Sequence, residues 1–211
     1  MNRIRKILVC VIVLLSSQLS GQEKELSLKE SESLKLKIVQ KSKSTFSITS
    51  DFKQLKHMDF LTNDIVSSGE LIYKSPSNIK WEYKVPFAYS AIFKENKLFI
   101  NDDGKKSNLN LNKSKAFRSL NDLIIKSVRG DLFDDEAFSM RYFESKDGYV
   151  VKFSPKDKVM KSFIREMIIT FDRHNFQVLE LKMMESESDY TLLRFLNQEL
   201  NAEVSDSVFI N

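Results

Sequence analysis

Residues 79–85 read Ile79-Lys80-Trp81-Glu82-Tyr83-Lys84-Val85, apolar and charged side chains alternating without a break. A period of two places Ile79, Trp81, Tyr83 and Val85 on one face of a strand and Lys80, Glu82 and Lys84 on the other. Pro86, which lacks a backbone donor, ends the strand. Upstream, Ser75-Pro76-Ser77-Asn78 has turn chemistry, and residues 65–74 before it form the preceding strand. Further back, from Thr45, Phe46, Ile48 and Phe52 fall on one side, against Ser47, Thr49, Asp51 and Lys53 on the other.

Downstream, residues 89–93 and 97–100 form a hairpin across Lys94-Glu95-Asn96, and Asn101-Asp102-Asp103-Gly104 is a strong turn. Between 112 and 130 the period changes to 3.6. Phe117, Leu120, Ile124 and Val128 make one apolar stripe, Asn112 can cap the start, and Arg129-Gly130 suits the end. Strands then resume at 138–144, 149–153, 162–171, 176–185 and 190–196, with Asp147-Gly148 and His174-Asn175 as turns. Leu34 and Ile38, one helical turn apart, predict a helix within 22–44, although Leu34-Leu36-Ile38 also alternates like a strand. No repeat or linker interrupts this order, so residues 22–211 are expected to form one domain. The architecture is a long antiparallel meander with one helix at its start and another inserted midway. Such a meander closes, folds into a sandwich, or curls around something.

The first 21 residues stand apart. Asn2-Arg3-Ile4-Arg5-Lys6 precedes an apolar run from Ile7 to Leu15, then Ser16-Ser17-Gln18-Leu19-Ser20-Gly21. A basic start, a short apolar middle and a small-residue exit describe a secretory signal peptide over residues 1–21. The run is shorter than the ~20 residues of a membrane span. Cys10 lies within it behind Val9, a context unlike a lipidation site. The full chain of 211 residues has 33 basic and 29 acidic side chains. Removing residues 1–21 takes away Arg3, Arg5, Lys6 and Cys10, leaving a net charge of +1 and no thiol. The basicity belongs to the export signal and is no argument for nucleic acid.

The remaining composition argues against catalysis. Five Gly and no G-x-x-x-x-G-K-[ST], G-x-G-x-x-G or G-x-S-x-G leave nucleotide loops and a nucleophile elbow without support. His57 and His174 are the only histidines and read as solvated side chains. Asp102-Asp103 and Asp134-Asp135-Glu136 read as turn acids, lacking the spacing and Gly of a calcium loop. Neither a metal nor a cofactor is expected. What stands out is 16 Phe and 7 Met, and apolar residues on both faces of several strands. Phe163, Met167, Ile169 and Phe171 oppose Ile164 and Ile168; Val178 and Met184 oppose Leu179, Leu181 and Met183; Leu192 and Leu196 oppose Leu193 and Phe195. A sandwich or helix-covered sheet accounts for this, and so does a curved sheet around an apolar cavity.

Several short motifs, in order, bear on that choice. They are Phe52-Lys53-Gln54, then Gly69-Glu70-Leu71-Ile72-Tyr73-Lys74-Ser75-Pro76, then Ile79-Lys80-Trp81-Glu82-Tyr83 and Pro86. Phe195-Leu196-Asn197, Leu200-Asn201 and Phe209 follow near the C-terminus. Together they resemble the outer-membrane lipoprotein carrier (LolA-like) family over nearly the whole chain. The resemblance implies an unclosed antiparallel β-barrel, a curved sheet covered by lid helices. It also implies a periplasmic protein that shields lipoprotein acyl chains and shuttles them from the inner to the outer membrane. Its implied partners are acylated lipoproteins, an inner-membrane ABC lipoprotein-releasing transporter, and an outer-membrane acceptor or that membrane itself. The carrier would act as a monomer, without enzymatic activity and without nucleic acid.

On this basis the expected lipid-binding wall is Phe46, Ile48, Phe52, Leu71, Tyr73, Trp81, Tyr83, Phe93, Met167 and Met183, with Phe117, Leu120 and Ile124 on the lid. The family often has Arg before its first motif Pro, holding lid to barrel. Ser75 stands there in this chain, and Lys74, one residue earlier on the other face, cannot reproduce a bidentate guanidinium contact. Carriage of another lipid or a pigment precursor, or a solid β-rich scaffold that binds protein, are the alternatives.

Overall fold

A computed structural model describes residues 23–111, 123, 126 and 132–210. Twelve strands form a single antiparallel sheet: β1 (Lys24–Glu25), β2 (Ser47–His57), β3 (Ile65–Lys74), β4 (Asn78–Val85), β5 (Tyr89–Lys94), β6 (Lys97–Asp102), β7 (Lys105–Asn110), β8 (Phe138–Glu144), β9 (Tyr149–Pro155), β10 (Glu166–Phe171), β11 (Val178–Met184) and β12 (Tyr190–Leu200). Their order across the sheet is β1-β8-β9-β10-β11-β12-β2-β3-β4-β5-β6-β7. Two hairpin meanders are thus joined where β12 pairs with β2. β1 and β7 do not pair with each other, so the curved sheet stays unclosed, as the resemblance implied.

The helix expected near the N-terminus is α1 (Leu28–Lys43). Ser27 and Glu30 form a reciprocal capping box, satisfying donors that the first turn leaves unpaired. Ser31, Leu34, Ile38 and Ser42 are its buried stripe, while Leu36 is 71% exposed, so the helical spacing wins over the strand-like one. Leu34 and Ile38 join the same core as the sheet's inner face.

Directly paired residues in a ladder share a face, so the register defines that inner surface. One row runs Leu200, Ile48, Tyr73, Ile79, Phe93, Leu98 and Leu109. The next runs Leu71, Trp81, Ala91 and Ile100, and another Phe195, Phe52, Gly69, Tyr83 and Tyr89. On the other meander, Tyr142, Val151, Ile169, Leu181 and Leu193 continue the surface, as do Met140, Phe153, Met167 and Met183. A Cβ at Gly69 would lie 1.8 Å from the Glu82 carbonyl oxygen, so only glycine lets β4 approach β3 there.

The opposite face is convex and carries charges in cross-strand pairs, among them Arg194 with Glu180 at 2.8 Å and Lys84 with Glu70 at 2.9 Å. Its apolar residues account for the two-faced pattern of the sequence without a second sheet. Ile168 and Leu192 are half-buried there beside Lys182. Ile92 is buried there, and the short 3-10 helix of the C-terminal segment (Asp206–Phe209) packs on β4 and β5 and buries Phe209. Lys74 holds that segment by donating to Val204 O at 2.8 Å and Asp206 Oδ1 at 2.6 Å.

Several expectations are corrected. The strand expected over 162–171 begins only at Glu166; a one-turn helix (Lys158–Lys161) precedes it, and Phe163 is exposed. Register slips between Thr170 and Phe171, so Val178 pairs with Phe171 and turns to the inner face with Leu181 and Met183. β12 extends to Leu200, beyond the expected 190–196, and β1 and β7 appear where no strand is predicted. The stripe residues Phe117, Leu120 and Ile124 lie outside the described residues, as do the signal segment 1–21 and Cys10; Leu123 and Lys126 within the expected helix are helical, and Leu123 is buried.

Candidate functional site

Alternation along β2, β3, β4 and β12 delivers an aromatic group to the middle of the concave face. The Phe52 ring lies 5.1 Å from Trp81, tilted at 52°, and 5.1 Å from Tyr83, edge-on at 83°. Gly69, between Phe52 and Tyr83 in the same row, has no side chain to separate them. Phe195 meets Trp81 at 6.5 Å, and Tyr83 meets Phe87 and Tyr89 at 6.1 and 6.0 Å. Such offset and edge-to-face contacts add about 0.5–1.5 kcal/mol per pair to the burial of the rings. A second aromatic group occupies the other meander. Phe133, from the chain entering β8, reaches Tyr142, Phe153 and Phe171 at 6.2, 5.4 and 6.3 Å.

Of the expected wall residues, Ile48, Phe52, Leu71, Tyr73, Phe93 and Met167 are buried on this face. Trp81, Tyr83 and Met183 are half-buried on it. Phe46 departs from the set: it lies one residue before β2, its N–H donates to Asn201 Oδ1, and its side chain is 53% exposed. The wall also includes residues not proposed for it, notably Phe133, Phe153, Phe171, Leu193 and Phe195. The last four alternate in their strands and were recoverable by extending the period; Phe133 lies in no periodic segment.

Polar groups on the concave face are few and local. Tyr83 donates its hydroxyl to Gln54 Oε1 at 2.9 Å. Burial raises the Tyr83 pKa, with Tyr89 adding to the rise and the nearby Trp81 indole and Gln54 holding it back. Even so, Trp81 Nε1 is buried without a hydrogen-bond partner among the described residues. Where β2, β11 and β12 reach the 58–64 and 185–189 turns, Lys56 pairs with Glu185, which accepts from Thr191 Oγ1 at 2.9 Å. The hydrocarbon surface therefore ends in an ion pair at that rim. Tyr142, in the second aromatic group, is pushed up to about 12, chiefly by burial and secondarily by Asp135.

Two of the remaining titratable candidates, His57 and Asp134, have structural partners. His57 stacks on Tyr190 at 5.1 Å and meets Asp64 at 2.7 Å on the convex side, more engaged than the solvated side chain expected. Asp134 accepts from the backbone N–H groups of Glu136 and Ala137, the turn role expected of it. Among the described residues no three His, Cys, Asp or Glu side chains are grouped to hold a metal ion, and no helix is long and apolar enough to cross a membrane. An arrangement of this kind offers apolar contact over a wide concave area, with polar anchoring at a few points.

The family model described as outer membrane lipoprotein carrier protein LolA matches residues 43–210. No curated protein matches the sequence. Among solved structures, an uncharacterized conserved protein from Thermus thermophilus superposes with a TM-score of 0.52 at 7% identity, covering 85% of this chain and 92% of its own. A LolA superfamily protein from Nitrosomonas europaea gives 0.44 at 9% identity, covering 83% and 97%. The lipoprotein LppX of Mycobacterium tuberculosis gives 0.48 at 8%, covering 85% and 99%. With the unclosed sheet, its apolar concave face and a family match across most of its length, this chain belongs to the LolA outer membrane lipoprotein carrier family.

Proposed function

We propose that this protein is a periplasmic carrier that shields the acyl chains of lipoproteins against its concave face and shuttles them from the inner to the outer membrane. The observation that carries this reading is the continuous apolar surface formed by Phe52, Trp81, Tyr83, Phe195, Met167 and Met183 across adjoining strands. Residues 1–21 direct export and are then removed, and 22–211 act as one monomeric unit. The partners are an inner-membrane ABC transporter that releases acylated lipoproteins and an outer-membrane acceptor, or that membrane itself. The role requires no catalyst.

Energetics favour hand-over. Each buried CH₂ is worth about 0.8 kcal/mol relative to water, so one long acyl chain contributes on the order of 10 kcal/mol. Release into water is therefore negligible. Transfer into a bilayer exchanges one hydrocarbon environment for another, with a free-energy difference near zero, so cargo moves on when a membrane or acceptor is in contact. Adaptable Met and Phe contacts suit chains of differing length.

Native mass spectrometry of the protein isolated with its membrane partners tests the reading. Lipid-modified cargo on the wild type and its loss in Trp81→Glu are expected. Absence of any such cargo, with Trp81→Glu behaving like the wild type, rejects it. Fluorescent fatty-acid displacement separates a carrier from a scaffold with a solid core, which takes up no probe.

A further inference from the structure

We propose that Trp81 is a carbonyl-recognition point on the concave face, its indole N–H donating to the ester or amide carbonyl oxygen of a bound acyl lipid. This rests on the carrier reading and narrows its cargo to lipids that carry such an acceptor near their hydrocarbon. Trp81 Nε1 is buried and has no hydrogen-bond partner among the described residues. An indole nitrogen is a donor only, so an acceptor alone can satisfy it.

Its neighbours leave the donor unanswered. Phe52 at 5.1 Å and Phe195 at 6.5 Å are aromatic. The cross-strand partners Leu71 and Ala91 bring no polar atom from their side chains. The nearby Tyr83 hydroxyl gives its proton to Gln54 Oε1 at 2.9 Å; its oxygen is close enough to the indole to be held down in pKa by it, but without the geometry of a hydrogen bond. A buried donor without a partner penalises any ligand that leaves it so and favours one that supplies an acceptor. A plain hydrocarbon can fill the surface around Trp81 but cannot answer the N–H; an acyl ester or amide does both. The central position of Trp81 in its row, between Leu71 and Ala91, puts the donor within the apolar wall and away from the Lys56–Glu185 rim. It therefore selects the linkage of an acyl chain and not a polar headgroup at the edge.

Trp81 is the only tryptophan in the chain, so a ¹⁵N-labelled sample gives one indole N–H resonance, assigned without mutation. Methyl palmitate and hexadecane serve as matched probes with and without a carbonyl. The expected result is a downfield shift of the indole proton with methyl palmitate and none of comparable size with hexadecane. Trp81→Phe is expected to weaken methyl palmitate binding about tenfold more than it weakens hexadecane binding, the difference being the effect of one net hydrogen bond. Equal indole shifts with both probes, or equal weakening of both in Trp81→Phe, overturns carbonyl recognition while leaving the carrier reading standing. If neither probe binds the wild type, the carrier reading fails and this proposal fails with it.

Discussion

A methyl group at position 69 would sit 1.8 Å from the Glu82 carbonyl oxygen and 2.8 Å from Tyr83 Cα, both backbone atoms with no side-chain freedom to yield. Gly69→Ala is accordingly expected to destabilise the fold by about 3 kcal/mol, the upper end of ordinary overpacking, read as a lowered denaturant midpoint. Tyr142 supplies a second prediction. Its folded pKa, about 12, lies above the ordinary 10.0 because burial disfavours the phenolate. Below pH 10 both folded and unfolded chains keep the proton, and the group leaves stability unchanged. As pH rises from 10 towards 12 the unfolded chain ionises first, so stability falls through that window. Chemical denaturation across it should show the loss, while phenolate absorbance should show late titration that is reduced in Tyr142→Phe, with Tyr83 and Tyr89 also raised by burial. Tyr142→Phe should flatten part of the decline.

Among the elements, the C-terminal 3-10 helix shows how the convex face is kept from water at one place. Phe209 is 2% exposed where its helix packs on β4 and β5, and Lys74 ties down the segment through Val204 O and Asp206. Phe209→Ala should cost about 3–5 kcal/mol. Lys74→Met, removing partly exposed contacts, should cost less than about 1 kcal/mol; thermal denaturation of both variants orders them. Lys74 thus has its contacts on the convex face.

Element by element, legibility followed the strength of the local signal. β4 was plain because its alternation is uninterrupted. β7 was not, since Lys105-Lys106-Ser107-Asn108-Leu109-Asn110 offers one apolar residue, as suits an exposed edge guarded by lysines. The inward turn of Val178 depends on a register slip against β10, which no period within one strand encodes. Phe133 reaches the concave face from the irregular segment before β8, through ring contacts with Tyr142, Phe153 and Phe171 that no local period encodes. Most of the wall candidates lie within strands flanked by clear turns or a helix end. Phe46, just outside one, is the candidate that the structure leaves exposed.

At the scale of the whole molecule, a carrier should be stabilised by what it carries. Ligand at about 100 times its Kd adds about 2.7 kcal/mol to the folded state. In a chain of this size that raises Tm by roughly 5–10 °C. Calorimetry with methyl palmitate should record the rise, and Phe52→Asp, which puts a charge amid the aromatic group, should abolish it even where the variant remains folded.

The gap between β1 and β7 has a mechanical consequence. A closed barrel has its girth set by strand number and stagger, and widening it means breaking a ladder. This sheet is more like a split collar. Its two meanders meet along the β12–β2 seam, and small changes of twist spread over many ladders move the free edges without breaking any one of them. The circumference becomes an adjustable quantity. For the carrier role proposed above, this means that one set of hydrogen bonds would serve hydrocarbon of differing bulk, and the same small movement would let it go.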